Sequence, residues 1–305
     1  KTKLKPGGLI YVSYNCLAGW APILPMRQFF KDYQKLKKTS EINAINQSLE
    51  IINEMLNDDI LYPKGSKERK LFNGIFNSPR DYLIHEYMTE DWSLYTFPEI
   101  HEKFSNLGLM YVGSTDLTRA FDPLQLNNKT LNFLKSTEDT LIKETLRDQI
   151  MSPMVRRDVF ANGLITKKNL SKKELLLKQN FTLIKPAINI PHEFNFPLGT
   201  ISITHDIYNL ITSYLSQNSY SATDLVKIHK QKSRSKPIDP IKVLEAIQLL
   251  VVTNYVMPTL SNNLISRRRE RTNKFNKAVL KLEKTHNINV PCFASPIIGG
   301  GITRK

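Results

Sequence analysis

The sequence predicts an α+β chain that is predominantly helical. Apolar residues recur at three- and four-residue spacing through Met26, Phe29, Phe30 and Tyr33, and again through Ile42, Ile45, Leu49, Ile52 and Leu56, as on amphipathic helices. Short apolar runs punctuated by Gly and Pro occur at 9–13, 109–112 and 181–204, as in strands. At 305 residues the chain exceeds what one core usually supports, so two or three structural units are expected.

Taken in order, Pro6-Gly7-Gly8 predicts a tight turn into a buried strand over residues 9 to 13. A helix follows from Pro25. Ser40 stands as N-cap of the next helix, with Glu41 where the helix dipole favours a negative charge. Lys64-Gly65-Ser66 breaks that helix, and Leu71, Ile75 and Phe76 mark a third, ending near Pro79. In TFPEIHEKFSNLGLMYVGST the grammar is complete: Thr96 caps, Pro98 sits in the first turn, Ile100, Phe104 and Leu107 form the stripe, and Gly108 stops the helix before a strand at Leu109–Val112. Further helices are expected at Leu131–Leu134 and Leu141–Ile150. FTLIK, AINI and TISIT read as β-like. After Asp206, a possible cap, Ile207, Leu210, Ile211, Tyr214 and Leu215 form an apolar face. A turn at SQNSYS, a helix from Thr223 through Ile228, a helix from Asp239 to about Asn254 and the extended YVMPTL complete a winged-helix-like arrangement at about 205–260. The basic stretches KIHKQKSRSK (227–236) and SRRRERTNK (266–274) read as solvated, mobile flanks.

The 43 Lys and Arg against 28 Asp and Glu leave a formal charge of +15, which suits a polyanion, an anionic membrane or an acidic protein surface. Lys, Asn and Ile are abundant along the whole chain, so compositional bias is the favoured explanation. Nucleic-acid binding stands as the alternative, through a helix-turn-helix at 206–217 and 223–230, but Asp224 at the start of the second helix would face phosphate. Cys16 and Cys292 form no CxxC, and none of the six histidines has a metal-ligand partner at i+3 or i+4, so no metal site is expected. No nucleophile elbow, P-loop or G-x-G-x-x-G occurs, and Gly299-Gly300-Gly301 lacks a strand-then-helix context. No catalytic set emerges. The most apolar stretch, Val243 to Val256, is interrupted by Glu245, Gln248, Thr253 and Asn254, so no membrane span is expected. With no export signal evident, the cytoplasm is the expected location.

One phrase is more specific. GGLIYVSYNCLAGWAPILPMRQFF resembles the signature of S-adenosylmethionine-dependent methyltransferases that carry a methyltransferase regulatory domain, through Gly7, Gly8, Ser13, Tyr14, Asn15, Gly19, Trp20, Pro25 and Arg27. Ala18 stands where proline is common. Further matches are LIHEYMTEDWSLYTFPEI with GLMYVGST (83 to 115), RRDVF (156 to 160) and ASPIIGGGI (294 to 302). The chain is similar to bacterial protein-lysine methyltransferases of the rickettsial type, which modify outer-membrane surface protein.

That resemblance implies a C-terminal portion. LKPGG would form the turn into the fifth strand of a Rossmann-like class I sheet, and the cofactor loop with its acidic ribose-binding residue would precede Lys1. S-adenosylmethionine is thus implied for the full-length family, with no cofactor-binding or catalytic residue in this chain. Residues 1–24 and 90–118 would be the remnant of the sheet, 25–89 a helical insertion, and 119–305 a regulatory and substrate-binding region. Tyr14, Asn15 and Trp20, at the carboxyl end of the strand, are the candidate substrate-binding residues: a hydroxyl or amide could orient a lysine amine while aromatic walls hold its stem. Structural roles for them, as anchors of the turn, are the competing reading. The family also implies dimerisation, for which Ile42, Ile45, Leu49 and Ile52 are the candidate contact, with an intramolecular bundle as the alternative. The remaining possibilities are an inactive remnant and one half of a split enzyme that joins a missing N-terminal half.

Overall fold

A computed structural model describes residues 4–58, 60–163, 171–203, 206–232 and 238–303. His205 and residues 233–236 of the first basic stretch lie outside the described residues, as do Lys1 to Lys3. In chain order the elements are β1 (Leu9–Asn15), α1 (Leu17–Trp20), α2 (Leu24–Lys37), α3 (Glu41–Asn57), α4 (Lys67–Phe76), α5 (Arg80–Leu83), α6 (Phe97–Asn106), β2 (Met110–Ser114), α7 (Asp122–Gln125), α8 (Asn128–Ser136), α9 (Thr140–Met151), β3 (Val155–Ala161), α10 (Lys172–Lys178), β4 (Asn180–Leu183), β5 (Glu193–Phe196), β6 (Gly199–Ser202), α11 (Asp206–Leu215), β7 (Tyr220–Ser221), α12 (Ala222–Lys232), α13 (Pro240–Val252), β8 (Val256–Pro258), α14 (Asn262–His286), β9 (Cys292–Ala294) and β10 (Gly301–Thr303). The chain divides into two compact units, residues 1–120 with 127–165, and residues 121–126 with 166–305. The boundary expected at 118/119 therefore differs: most of 119–165 belongs with the first unit, because β3 pairs with β1 and β2.

The first unit holds a three-stranded sheet in the order β1-β3-β2. β3 runs antiparallel to both neighbours, with Tyr14 opposite Arg156 and Tyr111 opposite Phe160, so β1 and β2 are parallel to each other. Gly7, at a φ of 73°, makes the turn into β1, and its N–H donates to the Asn162 carbonyl at 2.8 Å. Thr96 and Glu99 close a full capping box on α6, which lays Ile100 and Phe104 on the sheet; the Phe104 ring stacks on Phe160 at 4.4 Å. The opposite sheet face is uncovered. β1 was expected to be a buried strand, but Leu9 is 63% exposed and Tyr11 57%, with Met110 and Val112 also exposed on β2. Beyond the sheet, Cys16 forms an isolated parallel bridge with Tyr95: the Tyr95 N–H donates to the Asn15 carbonyl at 2.9 Å and the Leu17 N–H to the Tyr95 carbonyl at 3.0 Å.

A helical core accompanies the sheet. α2, α3, α4 and α5 bury Phe30, Ile45, Leu49, Ile52, Phe72, Leu83 and Trp20 together, continued by a π-helical turn at Ile84–Met88 that adds Tyr87 and Met88. Ser40 caps α3 as its sequence predicts, accepting from the Asn43 N–H. Of the four residues expected at a dimer contact, Ile45, Leu49 and Ile52 lie inside this core. Only Ile42 is exposed. Burying each of the three is worth about 1.5–3 kcal/mol, which α3 gains by packing on its own chain.

The second unit places α11, α12 and α13 around the sheet β7-β4-β8. Val243, Ile247 and Leu250 of α13 pack against Ile211, Leu225, Phe181 and Val256. The central strand differs from the winged-helix expectation in its origin: β4 precedes α11, and β8 runs into α14 rather than into a hairpin. AINI is not a strand; Ala187–Asn189 form a 3-10 turn after Pro186. SRRRERTNK is not a flank but the interior of the 25-residue α14, which ends at Asn287 with φ 51°. Its low apolar content hid the helix, since arginines interrupt the spacing of Leu264, Phe275 and Leu282. β5-β6 and β9-β10 are separate hairpins, and the glycine cluster lies in the second, with Gly299 at φ 70°. Among the described residues no helix is long and apolar enough to cross a membrane.

Candidate functional site at the carboxyl end of the first strand

Tyr14 ends the buried face of β1, and its hydroxyl donates to Asp158 at 2.7 Å. Asp158 belongs to a buried charge cluster. Arg156, 1% exposed, donates through Nε to Asp158 at 2.9 Å, through Nη1 to Asp148 at 2.8 Å and through Nη2 to Glu144 at 2.9 Å. Arg119 bridges the same two α9 carboxylates, with Nη2 to Asp148 at 2.6 Å and Nη1 to Glu144 at 3.1 Å. Arg147 also donates to Glu144, so three guanidinium groups meet three carboxylates. The Arg156 guanidinium lies 4.3 Å from the Phe97 ring centroid.

Two local patterns build the cluster. Arg156 and Asp158 share one face of β3 at i, i+2, and Glu144 and Asp148 share one face of α9 at i, i+4. Burial opposes charge throughout, and pairing overcomes it. For Glu144, burial raises the pKa, yet Arg156, Arg147 and Arg119 hold it below the usual carboxylate range. For Arg156, burial acts to lower the pKa, and the Asp158 hydrogen bond and the Asp148 charge raise it above the ordinary value. Burial pushes the Tyr14 phenol well up, with Arg156 easing it only in part, so Tyr14 is a hydrogen-bond donor and not a base.

Beside Asp148 lies a cavity of about 240 Å³, lined by Cys16, Leu17, Phe97, Thr145 and Gln149 among others. Burial raises the Cys16 thiol, which keeps it protonated. The cavity falls below the roughly 300–1,000 Å³ of ordinary ligand pockets. Its one carboxylate already serves two arginines. The cavity therefore offers no free carboxylate to accept from the hydroxyls of a ribose such as that of S-adenosylmethionine. Among the described residues no group of His, Cys, Asp and Glu is arranged to hold a metal ion.

The three sequence candidates separate here. Tyr14 is committed to Asp158. Trp20 is 3% exposed and packs edge-on against Tyr87 and Trp92, at 5.7 and 5.0 Å. That is a packing position rather than a wall a substrate reaches. Arg27 stacks on Trp92 at 4.3 Å and donates to the Thr89 carbonyl at 2.6 Å, while Gly19 passes so close to Pro153 that an added Cβ would lie 2.4 Å from its backbone. Gly19, Trp20, Pro25 and Arg27 thus work as one structural unit, with Pro25 in the first turn of α2. Asn15 is half-buried and makes no side-chain hydrogen bond among the described residues. Sequence reasoning missed Arg119, Glu144 and Asp148, and quoted Arg156 and Asp158 only within RRDVF; two like-spaced acids on one helix face were the available signal.

Residues 79–162 match the family model described as a predicted methyltransferase regulatory domain. Arg119, Glu144, Asp148, Arg156 and Asp158 all fall within that span. An uncharacterized protein of Synechocystis sp., sll1526, is 26% identical over 99% of this chain. The chain spans 59% of that relative's length. The structure of PKMT2 from Rickettsia typhi has a similar fold, with a TM-score of 0.62 and 21% identity over 84% of this chain and 52% of that one. The same protein in complex with AdoHcy superposes with a TM-score of 0.61. The family-model match and the shared fold support a methyltransferase-related role.

Proposed function

We propose that this chain is the substrate-recognising part of an S-adenosylmethionine-dependent protein methyltransferase, the acceptor being a lysine of a bacterial surface protein and the methyl donor being held by other residues. The observation that carries the reading is the match over 79–162, which encloses the charge cluster fixing the carboxyl end of β1. Two features of the sheet support it. The outer edge of β1 is free of a strand partner among the described residues up to the Tyr95 bridge, and the face bearing Leu9, Tyr11, Met110 and Val112 is uncovered. A sheet apolar on both faces is built to be covered on both, so a strand and helix carrying the donor would join there and continue a class I sheet.

The cluster's task in this reading is positional. Tyr14 and Asp158 hold β1 against β3, so that Asn15, the candidate with a free side-chain amide, is presented at the strand end where an acceptor amine is oriented. Methyl transfer needs that amine in line with the donor, and alignment of this kind is a large part of the rate.

Calorimetry with S-adenosylhomocysteine tests the division of labour. The 305-residue chain alone should give no binding heat. Co-expression with the segment of sll1526 that has no counterpart here should restore transfer of a labelled methyl group to surface-protein lysines. Donor binding by the chain alone, or no transfer by the pair, would sink the reading.

A further inference from the structure

α14 presents two stripes with different fates. Thr272, Asn276, Val279 and Glu283 are half-buried against the segment that follows the helix. Asn276 donates to the Ala294 carbonyl at 2.9 Å and accepts from its N–H at 3.0 Å, and the Val290 N–H donates to Glu283 at 2.8 Å. About a quarter-turn round the helix lie Leu264, Arg268, Arg271, Phe275, Ala278 and Leu282, at alternating four- and three-residue steps. That is the spacing of a two-helix coiled-coil seam, here with arginine at two of its six positions, and its side chains are exposed, Arg268 reaching toward the turn at Gly299. Phe275 is 56% exposed and Leu282 48%. Leu264, Arg267, Arg268 and Arg271 line a cavity of about 330 Å³, and none of these arginines has an ion pair or hydrogen bond among the described residues.

The chemistry of the stripe selects its occupant. A second copy is disfavoured, because α14 carries four Arg and four Lys against two Glu, and a parallel pair would set Arg268 against Arg268. An apolar helix would strip water from Arg268 and Arg271 without supplying acceptors. Duplex nucleic acid would satisfy the arginines and leave Leu264, Phe275 and Leu282 with nothing apolar to meet. We propose that this face docks an acidic amphipathic helix of another protein, with carboxylates opposite Arg268 and Arg271 and apolar side chains against Leu264, Phe275 and Leu282. The surface stands whether or not the chain takes part in methyl transfer.

The probe is a labelled synthetic helix of about three heptads, with Leu on its seam and Glu beside it, titrated into the full chain by fluorescence anisotropy. Binding should weaken as salt rises. The pair Arg268→Glu and Arg271→Glu should raise Kd about tenfold or more, and Phe275→Ser should also raise it. Lys227→Glu with Lys230→Glu, on α12, should leave it unchanged. Circular dichroism checks that each variant keeps its helix content. The proposal is overturned by a Kd indifferent to the α14 changes, by duplex DNA displacing the peptide while Phe275→Ser has no effect, or by sedimentation showing a dimer that Phe275→Ser dissolves.

Discussion

Arg156 in the first unit and Ile247 in the second are each fully buried, and their surroundings are opposite in kind. Arg156 meets three carboxylates, a phenol and a phenylalanine face. Ile247 sits in a cluster of apolar side chains with Leu225, Val243 and Val256. Apolar packing is non-directional and tolerates repacking, whereas a buried guanidinium demands acceptors at fixed positions. Around Arg156 the first unit thus fixes geometry, beside its own apolar core of Phe30, Ile45 and Leu49, and the family-model match over 79–162 falls mostly on that unit.

The largest effect expected from this contrast is at Arg156. Arg156→Ala leaves Asp158 and both α9 carboxylates short of a buried partner and should cost about 3–5 kcal/mol. Urea unfolding followed by tryptophan fluorescence reads it, since Trp20 and Trp92, the chain's two tryptophans, both lie in the first unit. A loss under about 1 kcal/mol would mean that water already satisfies the cluster. Leu225→Ala in the second unit should cost about 2–5 kcal/mol through cavity formation, read by far-UV circular dichroism.

Acid separates the two kinds of core. The folded-state pKa of Glu144 is depressed, so its contribution is full above the unfolded value of about 4.3 and is lost as pH falls through the folded value below it. The cost of Arg156→Ala should shrink in that window, while that of Leu225→Ala stays constant. An equal response of both variants would break the comparison. The smallest change is Tyr14→Phe, which removes one donor from Asp158 while Arg156 still supplies two, for about 1 kcal/mol.

Local rules reached some of this and stopped at the long-range pairings. The Thr96 cap, the Ser40 cap and the apolar stripe of α3 were legible because each signal lies within a few residues. The charge cluster was not, because Arg119, Glu144 and Arg156 look like surface residues until β3 is placed between β1 and β2, far from both in sequence. Trp20 shows the converse. A motif residue beside a strand end suggests contact with substrate, yet its environment is set by Trp92 and Tyr87, more than sixty positions away.

Tyr95 has a last consequence for the open edge of β1. By bonding both Asn15 and Leu17 it acts as a doorstop, so that a strand added to this edge, as the proposed function requires, would have Leu9 to Ser13, roughly 16 Å of backbone, to pair with. A guest that overshoots by one residue would turn every side chain to the wrong face, and the obstruction at this end forbids that slip.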